Sequence, residues 1–307
     1  MADPFIGTGD PAADAGYLAP PTRNGFFTDT SLCIGCKACE VACKEWNAVP
    51  ADGMTLSGNS YDNSVGLGAS TWRHVAFIEQ PATPAASSTS SVELGMPTMT
   101  LPGADAPAEQ RKPFRWLMES DVCKHCTRAG CLDVCPTGAL FRTEFGTVVV
   151  QNDICNGCGY CIPACPYGVI ERRDGPAEDP AVGIAQKCTL CYDRLKGGLE
   201  PACAKACPTD SIQFGDLHEL RERAQARVDV LAAAGETRAQ LYGHDPEDGV
   251  GGTGAFFLLL DKPEVYGLPP DPVVSTTYLP RMWRQAAFAA ATLLAGAAAA
   301  FVGERRR

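Results

Sequence analysis

The fold is decided by the segment Cys155-Asn-Gly-Cys158-Gly-Tyr-Cys161-Ile-Pro-Ala-Cys165-Pro166. Its first three cysteines are separated by two residues each, and a fourth follows after three more residues and precedes a proline. This spacing is typical of a run that binds a [4Fe-4S] cluster, because a short loop can present three thiolates to three corners of a cubane. The fourth cysteine, beside the proline, ligates the other cluster of a pair. One such run therefore predicts a second.

The chain carries three further runs, so the segment quoted above is the third of four in chain order. The four runs together contain all sixteen cysteines. The first is Cys33-Ile-Gly-Cys36-Lys-Ala-Cys39-Glu-Val-Ala-Cys43, which repeats the spacing but lacks the proline. The second is Cys123-Lys-His-Cys126-Thr-Arg-Ala-Gly-Cys131-Leu-Asp-Val-Cys135-Pro136, whose middle pair is more widely spaced. The fourth joins Cys188-Thr-Leu-Cys191 to Cys203-Ala-Lys-Ala-Cys207-Pro208 across a longer gap. The thiols thus match the needs of four [4Fe-4S] clusters.

The pairing of the runs follows from the rule that the last cysteine of each run crosses to the other cluster. The second and third runs lie close in sequence and are predicted to form one ferredoxin-like pair, so the first and fourth runs close around them. The predicted ligand sets are Cys33, Cys36 and Cys39 with Cys207; Cys188, Cys191 and Cys203 with Cys43; Cys123, Cys126 and Cys131 with Cys165; and Cys155, Cys158 and Cys161 with Cys135. His125 lies inside the second run, where we expect packing, hydrogen bonding or a partner contact because cysteines already fill the ligand positions.

The runs indicate an α+β protein with two ferredoxin-like 2x[4Fe-4S] modules, loop insertions and a C-terminal helix. The expected organisation is an N-terminal tail (1–27), a four-cluster domain (28–267) with a cysteine-free insertion (48–112), a linker (268–284) and the terminal helix (285–303). Alternating apolar residues predict a strand over 71–79, and Gly146 centres a predicted β-hairpin.

Further local patterns predict helices over 40–46 and 217–234, the second ending at Gly235, and a buried strand over 255–260. Residues 81–107 are rich in Pro, Ala, Ser and Thr and indicate a surface loop.

The formal net charge is −10, and four clusters with their thiolates would add about −2 each, roughly −8 together. Five lysines lie inside or beside the runs, namely Lys37, Lys44, Lys124, Lys187 and Lys205. They reflect either chance and solubility or local compensation of cluster charge, which raises reduction potentials. The chain is not basic enough to indicate nucleic-acid binding.

The segment Ala286–Gly303 contains no charged residue and, as a helix, would span about 27 Å, close to the thickness of a bilayer core. Its small residues would allow close packing on a membrane partner. A transmembrane helix is therefore predicted, with a soluble docking helix as the alternative. Flanking arginines favour a cytoplasmic C-terminus, which places the cluster domain at the outer face of the membrane. The N-terminus lacks the pattern of a secretory signal, so export is expected to depend on a partner.

Several segments resemble the iron–sulfur (β) subunit of respiratory formate dehydrogenase, within the four-cluster electron-transfer subunits of molybdopterin oxidoreductases. The order of the four runs is typical of the wider group. The narrower resemblance lies in Asp29–Asn47, Tyr61-Asp62-Asn63, Lys187–Arg194, Gly249-Val250-Gly251-Gly252-Thr253 and Tyr266-Gly267-Leu268-Pro269. It extends from about residue 27 to the C-terminal helix.

This resemblance implies a non-catalytic subunit bound to an α subunit that oxidises formate at a molybdenum or tungsten pterin. Electrons would pass through the four clusters to a membrane cytochrome b γ subunit and quinone, or to another acceptor. It also implies single-pass anchoring in the cell membrane. The sequence carries no dinucleotide fingerprint, P-loop or nucleophile elbow, in keeping with a subunit that transfers electrons only.

Three alternatives remain open at this point. The first is the equivalent subunit of a dimethyl sulfoxide, thiosulfate or polysulfide reductase-type complex. The second is a stand-alone ferredoxin, which has no evident use for long cysteine-free segments and a terminal helix. The third is a zinc-stapled or disulfide-bonded interaction module, since sixteen cysteines could serve either framework.

Metal analysis of an anaerobic preparation separates the last alternative from the others. We expect about sixteen iron atoms per chain, because four cubanes hold four irons each. A preparation with about four zinc ions and no iron would exclude the cluster interpretation.

Overall fold

A computed structural model describes residues 9–53, 56, 58, 61–81, 114–176 and 178–304. The strands are β1 (Asn24–Asp29), β2 (Arg73–Pro81), β3 (Phe114–Val122), β4 (Leu140–Arg142), β5 (Val148–Val150), β6 (Glu171–Arg172), β7 (Ala185–Gln186), β8 (Ile212–Asp216), β9 (Gln240–Tyr242) and β10 (Ala255–Leu259). The helices are α1 (Pro11–Asp14), α2 (Ala38–Trp46), α3 (Gly130–Asp133), α4 (Cys161–Ala164), α5 (Tyr192–Lys196), α6 (Ala202–Lys205), α7 (Leu217–Ala233) and α8 (Leu279–Glu304). The loop expected over residues 81–107 falls, apart from Pro81, outside the described residues.

A four-stranded sheet in the order β8-β1-β10-β9 divides the interior into two regions. Strand β1 runs parallel to β10 and antiparallel to β8. Because successive side chains of a strand point to opposite faces, the buried neighbours Phe26 and Phe27 serve different cores. Phe26 packs in the core that contains the cysteines, whereas Phe27 stacks on Phe256 at 5.2 Å in the core beneath α7.

The position of β1 changes one expectation. Residues 24–27, assigned from sequence to an N-terminal tail, form most of a fully hydrogen-bonded central strand. Helix α1 also buries Pro11 and Ala12, and Asp10 caps it by accepting hydrogen bonds from two backbone amides. The segment before the first cysteine run is therefore part of the folded domain from at least Asp10.

Two antiparallel ribbons flank the cysteine-bearing loops. Strands β2 and β3 pair along their whole length, from Arg73 opposite Val122 to Pro81 opposite Phe114, and confirm the strand predicted over 71–79. Strands β4 and β5 form the predicted hairpin around Gly146, whose φ of 74° lies in the left-handed region that glycine tolerates. The insertion between the first two cysteine runs thus supplies a long ribbon as well as loop.

The predicted helices α2 and α7 are both present. Helix α2 carries Cys39 and Cys43 four residues apart, which places both on one face. Helix α7 is capped by Asp216, whose carboxylate accepts hydrogen bonds from the amides of His218 and Glu219, and it ends just before Gly235.

The C-terminal helix α8 begins at Leu279, six residues earlier than the bound expected from sequence. Within the segment Ser275–Val302 the most apolar 18-residue window has a mean hydropathy of 1.7, and the segment is long and apolar enough, by length and composition, to cross a membrane. Within the described protein its most apolar stretch is not buried at all. The side chains of Trp283, Phe288 and Leu293 are each more than two-thirds exposed.

Gly25 in β1 offers a test of the sheet. A Cβ there would lie 2.3 Å from the carbonyl oxygen of Gly254 and 2.7 Å from Cδ1 of Leu217. We expect Gly25→Ala to lower the free energy of unfolding by about 1–3 kcal/mol or more, because backbone must move to admit the methyl group. The measurement is the thermal midpoint of the anaerobically purified protein.

Gly215 provides the matched control, since it pairs directly with Gly25 across the sheet and has open space where its Cβ would be. Gly215→Ala should stay within about 0.5 kcal/mol of the unmodified protein. Equal thermal midpoints for the two variants would contradict the close packing of β1 on β10.

Candidate cluster-binding sites

Four groups of cysteines converge from different parts of the chain. Site I is the cavity lined by Cys33, Cys36, Cys39 and Cys207, which are the first predicted ligand set. Site III is the cavity lined by Cys123, Cys126, Cys131 and Cys165, the third predicted set. Each cavity thus takes three thiols from one run and the last thiol of another run.

The other two groups are evident from the electrostatics of their thiols. In site II (Cys43, Cys188, Cys191, Cys203), burial raises the pKa of Cys43 to about 12, with further contributions from Cys203 and Cys191. In site IV (Cys135, Cys155, Cys158, Cys161), burial raises the pKa of Cys161 to about 11, and the charges of Cys155, Cys158 and Cys135 act in the same direction. Such thiols are neutral at pH 7 without a ligand, so binding iron must release their protons.

The predicted ligands around these sites are all cysteine thiols. Among the described residues, no three His, Cys, Asp or Glu side chains lie close enough to share a single metal ion. A zinc site would need four ligands at about 2.0–2.3 Å from one centre. The all-thiol donor sets around sites I and III instead fit the four-thiolate ligation of a [4Fe-4S] cluster.

The sites differ in their exposure to solvent. Cys36 of site I and Cys158 of site IV are exposed, whereas all four cysteines of site II are buried. Sites I and IV therefore reach the protein surface, and site II lies in the interior.

The turn within each run has the same backbone form. The residue before the second cysteine is Gly35, His125, Gly157 or Leu190, and each has a φ between 45° and 70°. A left-handed residue at this position reverses the chain direction between neighbouring thiols. Glycine is needed where space is short, since a Cβ at Gly157 would lie 2.6 Å from the carbonyl oxygen of Gly183. At Leu190 and His125 the same turn costs about 1–2 kcal/mol, which packing must offset.

His125 plays the packing and hydrogen-bonding role predicted for it. The side chain is buried, and Nδ1 accepts a hydrogen bond from the amide of Val148 at 3.1 Å. Burial lowers the pKa of His125 well below its ordinary value, so the imidazole is neutral. Its backbone carbonyl accepts a hydrogen bond from Arg23.

Three of the five lysines beside the runs illustrate the difference between buried and exposed positions. Lys187 is buried, lines site III, and donates hydrogen bonds to the carbonyls of Val148 and Cys188. Lys124 is also buried against site III and pairs with Asp121. Lys205, in contrast, is largely exposed. The charge of Lys187 counteracts the rise that burial causes in the pKa of Cys131, which supports compensation of charge at site III. The charge of Lys124 is instead paired with Asp121, and Lys205 has the surface role expected from chance.

Three arginines near the sites, of which Arg73 and Arg142 are buried, were not found from sequence. Arg142 donates hydrogen bonds to the carbonyls of Cys126 and Thr127, both at 2.8 Å, and Arg23 binds Oγ1 of Thr127 at 2.8 Å. These two residues hold the widened loop of the second run. The third, Arg73, lies near sites I and II. Arginines in strands or tails give no local signal of burial, because their partners come from distant parts of the chain.

Comparison with known protein families gives two matches along the chain. A model described as a 4Fe-4S dicluster domain matches residues 32–139, and a second model of the same description matches residues 114–217. Together they span all four cysteine runs. The α+β fold of two ferredoxin-like dicluster modules and the four [4Fe-4S] clusters predicted from sequence are thereby confirmed.

Individual relatives narrow the family. The formate dehydrogenase iron–sulfur subunit of Haemophilus influenzae is 40% identical over 250 residues, which cover 80% of this chain and 68% of the relative. The nitrate-inducible formate dehydrogenase iron–sulfur subunit of Escherichia coli is 39% identical over 84% of this chain and 76% of its own length. The B subunit of the anaerobic dimethyl sulfoxide reductase of Escherichia coli is more distant, with 31% identity over 66% of this chain and 78% of the relative. The chain belongs to the family of formate dehydrogenase iron–sulfur subunits, which transfer electrons through four [4Fe-4S] clusters.

Proposed function

We propose that the chain is the electron-transfer subunit of a formate-oxidising complex, in which its sixteen cysteines hold four [4Fe-4S] clusters between a catalytic subunit and an electron acceptor. The observation that carries this proposal is that cysteines from different runs line shared cavities. Each cluster, when bound, accepts and releases one electron at a time. The family membership implies a catalytic partner.

The ligand sets that we propose are sites I to IV as defined above. The charge of Cys203 contributes to the raised pKa of Cys39, which supports a position of site II next to site I. The charge of Cys123 likewise contributes to the raised pKa of Cys188, which supports a position of site III next to site II. Sites III and IV are joined by Cys135 and Cys165, since each belongs to the run of one site and the ligand set of the other.

The resulting order is I, II, III, IV, with the two surface-reaching sites at the ends. The protein encloses the middle of the row and leaves Cys36 and Cys158 exposed at its ends. We therefore propose that the surfaces around Cys36 and Cys158 meet the two partners. An enclosed middle prevents electrons from escaping to solvent oxidants between them.

Cysteine variants test the proposed pairing. Cys36→Ala and Cys207→Ala should alter the same electron paramagnetic resonance signal, because both residues belong to site I. Cys43→Ala should alter a different signal, although Cys43 lies in the same run as Cys36. The double variant Cys36→Ala/Cys207→Ala should lose about four irons, and Cys36→Ala/Cys43→Ala about eight.

The outcome against this pairing would be a shared signal for Cys36→Ala and Cys43→Ala. A loss of about eight irons in the Cys36→Ala/Cys207→Ala variant would also contradict this pairing, because it would mean that the two residues belong to different clusters.

The catalytic partner that we propose is an α subunit with a molybdenum or tungsten pterin. The acceptor that we propose is a cytochrome b γ subunit in the membrane. Support comes from the 38–40% identity to subunits of formate dehydrogenases. A second candidate, the equivalent subunit of a dimethyl sulfoxide, thiosulfate or polysulfide reductase-type complex, is favoured only by the more distant relatives at 31% identity.

Substrate-dependent bleaching distinguishes the two candidates. In the anaerobically purified complex, formate should reduce the oxidised clusters and thereby bleach their visible absorption. Dimethyl sulfoxide added to the dithionite-reduced complex should leave the absorption bleached. Reoxidation by dimethyl sulfoxide, with no response to formate, would instead identify the reductase-type complex.

We also propose that α8 crosses the cell membrane once and leaves the cluster domain on the outer face. Its large exposed apolar surface needs cover, and residues Phe288, Leu293 and Phe301 are each more than two-thirds exposed. Arg281 and Arg284 stand at its start, outside the apolar stretch. Recovery of the assembled complex, with α8 intact, from the soluble fraction alone would contradict this proposal.

A further inference from the structure

Arg73 is a buried cation that the proposed ligand sets do not include. It is the first residue of β2, and its relative exposure is 1%. The guanidinium Nη1 donates hydrogen bonds to the carbonyl and the Oγ of Ser120 at 3.1 and 2.9 Å, and the group lies 5.0 Å from the ring centroid of Phe26. Nε and Nη2 are buried without a hydrogen-bond partner among the described residues. Burying a charged donor without a partner is costly, so these two groups indicate an interaction with something else at that place.

The surroundings of Arg73 identify the sulfur sites as that partner. The charges that act most strongly on it are the thiolates of Cys203, Cys39, Cys188 and Cys43. Burial opposes its charge, yet these thiolates hold the pKa of Arg73 above its ordinary value. Cys39 belongs to site I, and the other three belong to site II. The guanidinium thus lies between two sites.

Contacts through Ser120 strengthen the link to site I. The hydroxyl of Ser120 accepts from Arg73 and lies 3.2 Å from Sγ of Cys39. One serine therefore connects the cation to a ligand of site I. The guanidinium also lies over the ring of Phe26, which shields the cation from water.

We propose that Arg73 is a positioning residue shared by sites I and II, whose Nε–H and Nη2–H groups donate to sulfur at these sites and whose charge raises the reduction potentials of both clusters. This inference rests on the proposed ligand sets. Reduction adds a negative charge to a cluster, and a fixed cation in a water-free interior stabilises that charge. Hydrogen bonds to the sulfurs act in the same direction. Arg73 would therefore shift the distribution of electrons toward the half of the row that contains sites I and II.

Redox titration of the intact complex, followed by electron paramagnetic resonance, tests this role. In Arg73→Gln we expect two of the four midpoint potentials to fall and two to stay unchanged. A tenfold weaker stabilisation of the reduced form corresponds to about 59 mV for a one-electron couple. Arg73→Lys, which keeps the charge but loses the planar donor group, should move the same two potentials by less than Arg73→Gln does.

Arg173→Gln is the matched control. Arg173 is also a mostly buried arginine that donates to a backbone carbonyl, that of Ala69 at 2.8 Å. The charge that acts on it is Asp179 rather than a cysteine. All four potentials should stay unchanged in this variant.

Unchanged potentials in Arg73→Gln, or an equal shift of all four, would overturn the proposal. If Arg73→Gln does not assemble, the unmodified protein with 15N in its arginine guanidinium groups decides the question. Pulsed electron paramagnetic resonance should then detect 15N coupling at two reduced clusters that Arg73→Lys lacks. Absence of that coupling would also overturn the proposal. The iron content is a separate readout, because a chain without about sixteen irons would refute the ligand sets themselves.

Discussion

The rest of the structure depends on one constraint: sulfur must be buried as an anion. Cysteines are part of the main core itself, where Cys39, Cys123, Cys161, Cys188 and Cys203 are all buried among apolar residues. Burial holds the pKa of most of these thiols above its usual range, so the empty chain would bury neutral groups around cavities. Thiolates form only as iron binds and displaces the protons. Folding of this core and insertion of its clusters are therefore coupled, and a preformed rigid apo core is not expected.

Buried anions in turn require buried cations, and the fold delivers them from outside the cysteine runs. Lys187 reaches site III from just before the fourth run. Arg73 comes from the start of β2, inside the cysteine-free insertion of residues 48–112. The ribbon β2–β3 is long, yet its contribution to the sites is concentrated at one end, where Arg73 pairs with Val122 next to Cys123. The insertion thus has an electrostatic role in addition to any role on the surface.

Sequence reasoning succeeded where the determinants are local. Four runs of fixed spacing, the hairpin around Gly146, and the capped helix α7 each carry their own signal within about twenty residues. It failed for β1, because its partners β8 and β10 lie more than 180 residues away and the preceding segment is rich in Gly, Pro and Ala. It also missed Arg73 and Arg142, whose burial depends on tertiary partners that no pattern encodes. Two of the four left-handed turns could be predicted from sequence, because glycine occupies the turn position at Gly35 and Gly157. The other two could not, because His125 and Leu190 occupy that position.

Strand β1, which the sequence did not predict, explains how the first and fourth runs come to share sites. Strand β1 ends just before Cys33, and β8 begins just after Cys207. Their antiparallel pairing, from Asn24 opposite Asp216 to Thr28 opposite Ile212, brings these two cysteines to the same end of the sheet. Helix α2, with Cys39 and Cys43, then lies against α6, with Cys203. A crossing of thiols between runs that are distant in sequence is thus a consequence of one strand pair. The second and third runs need no such device, because the short hairpin β4–β5 lies directly between them.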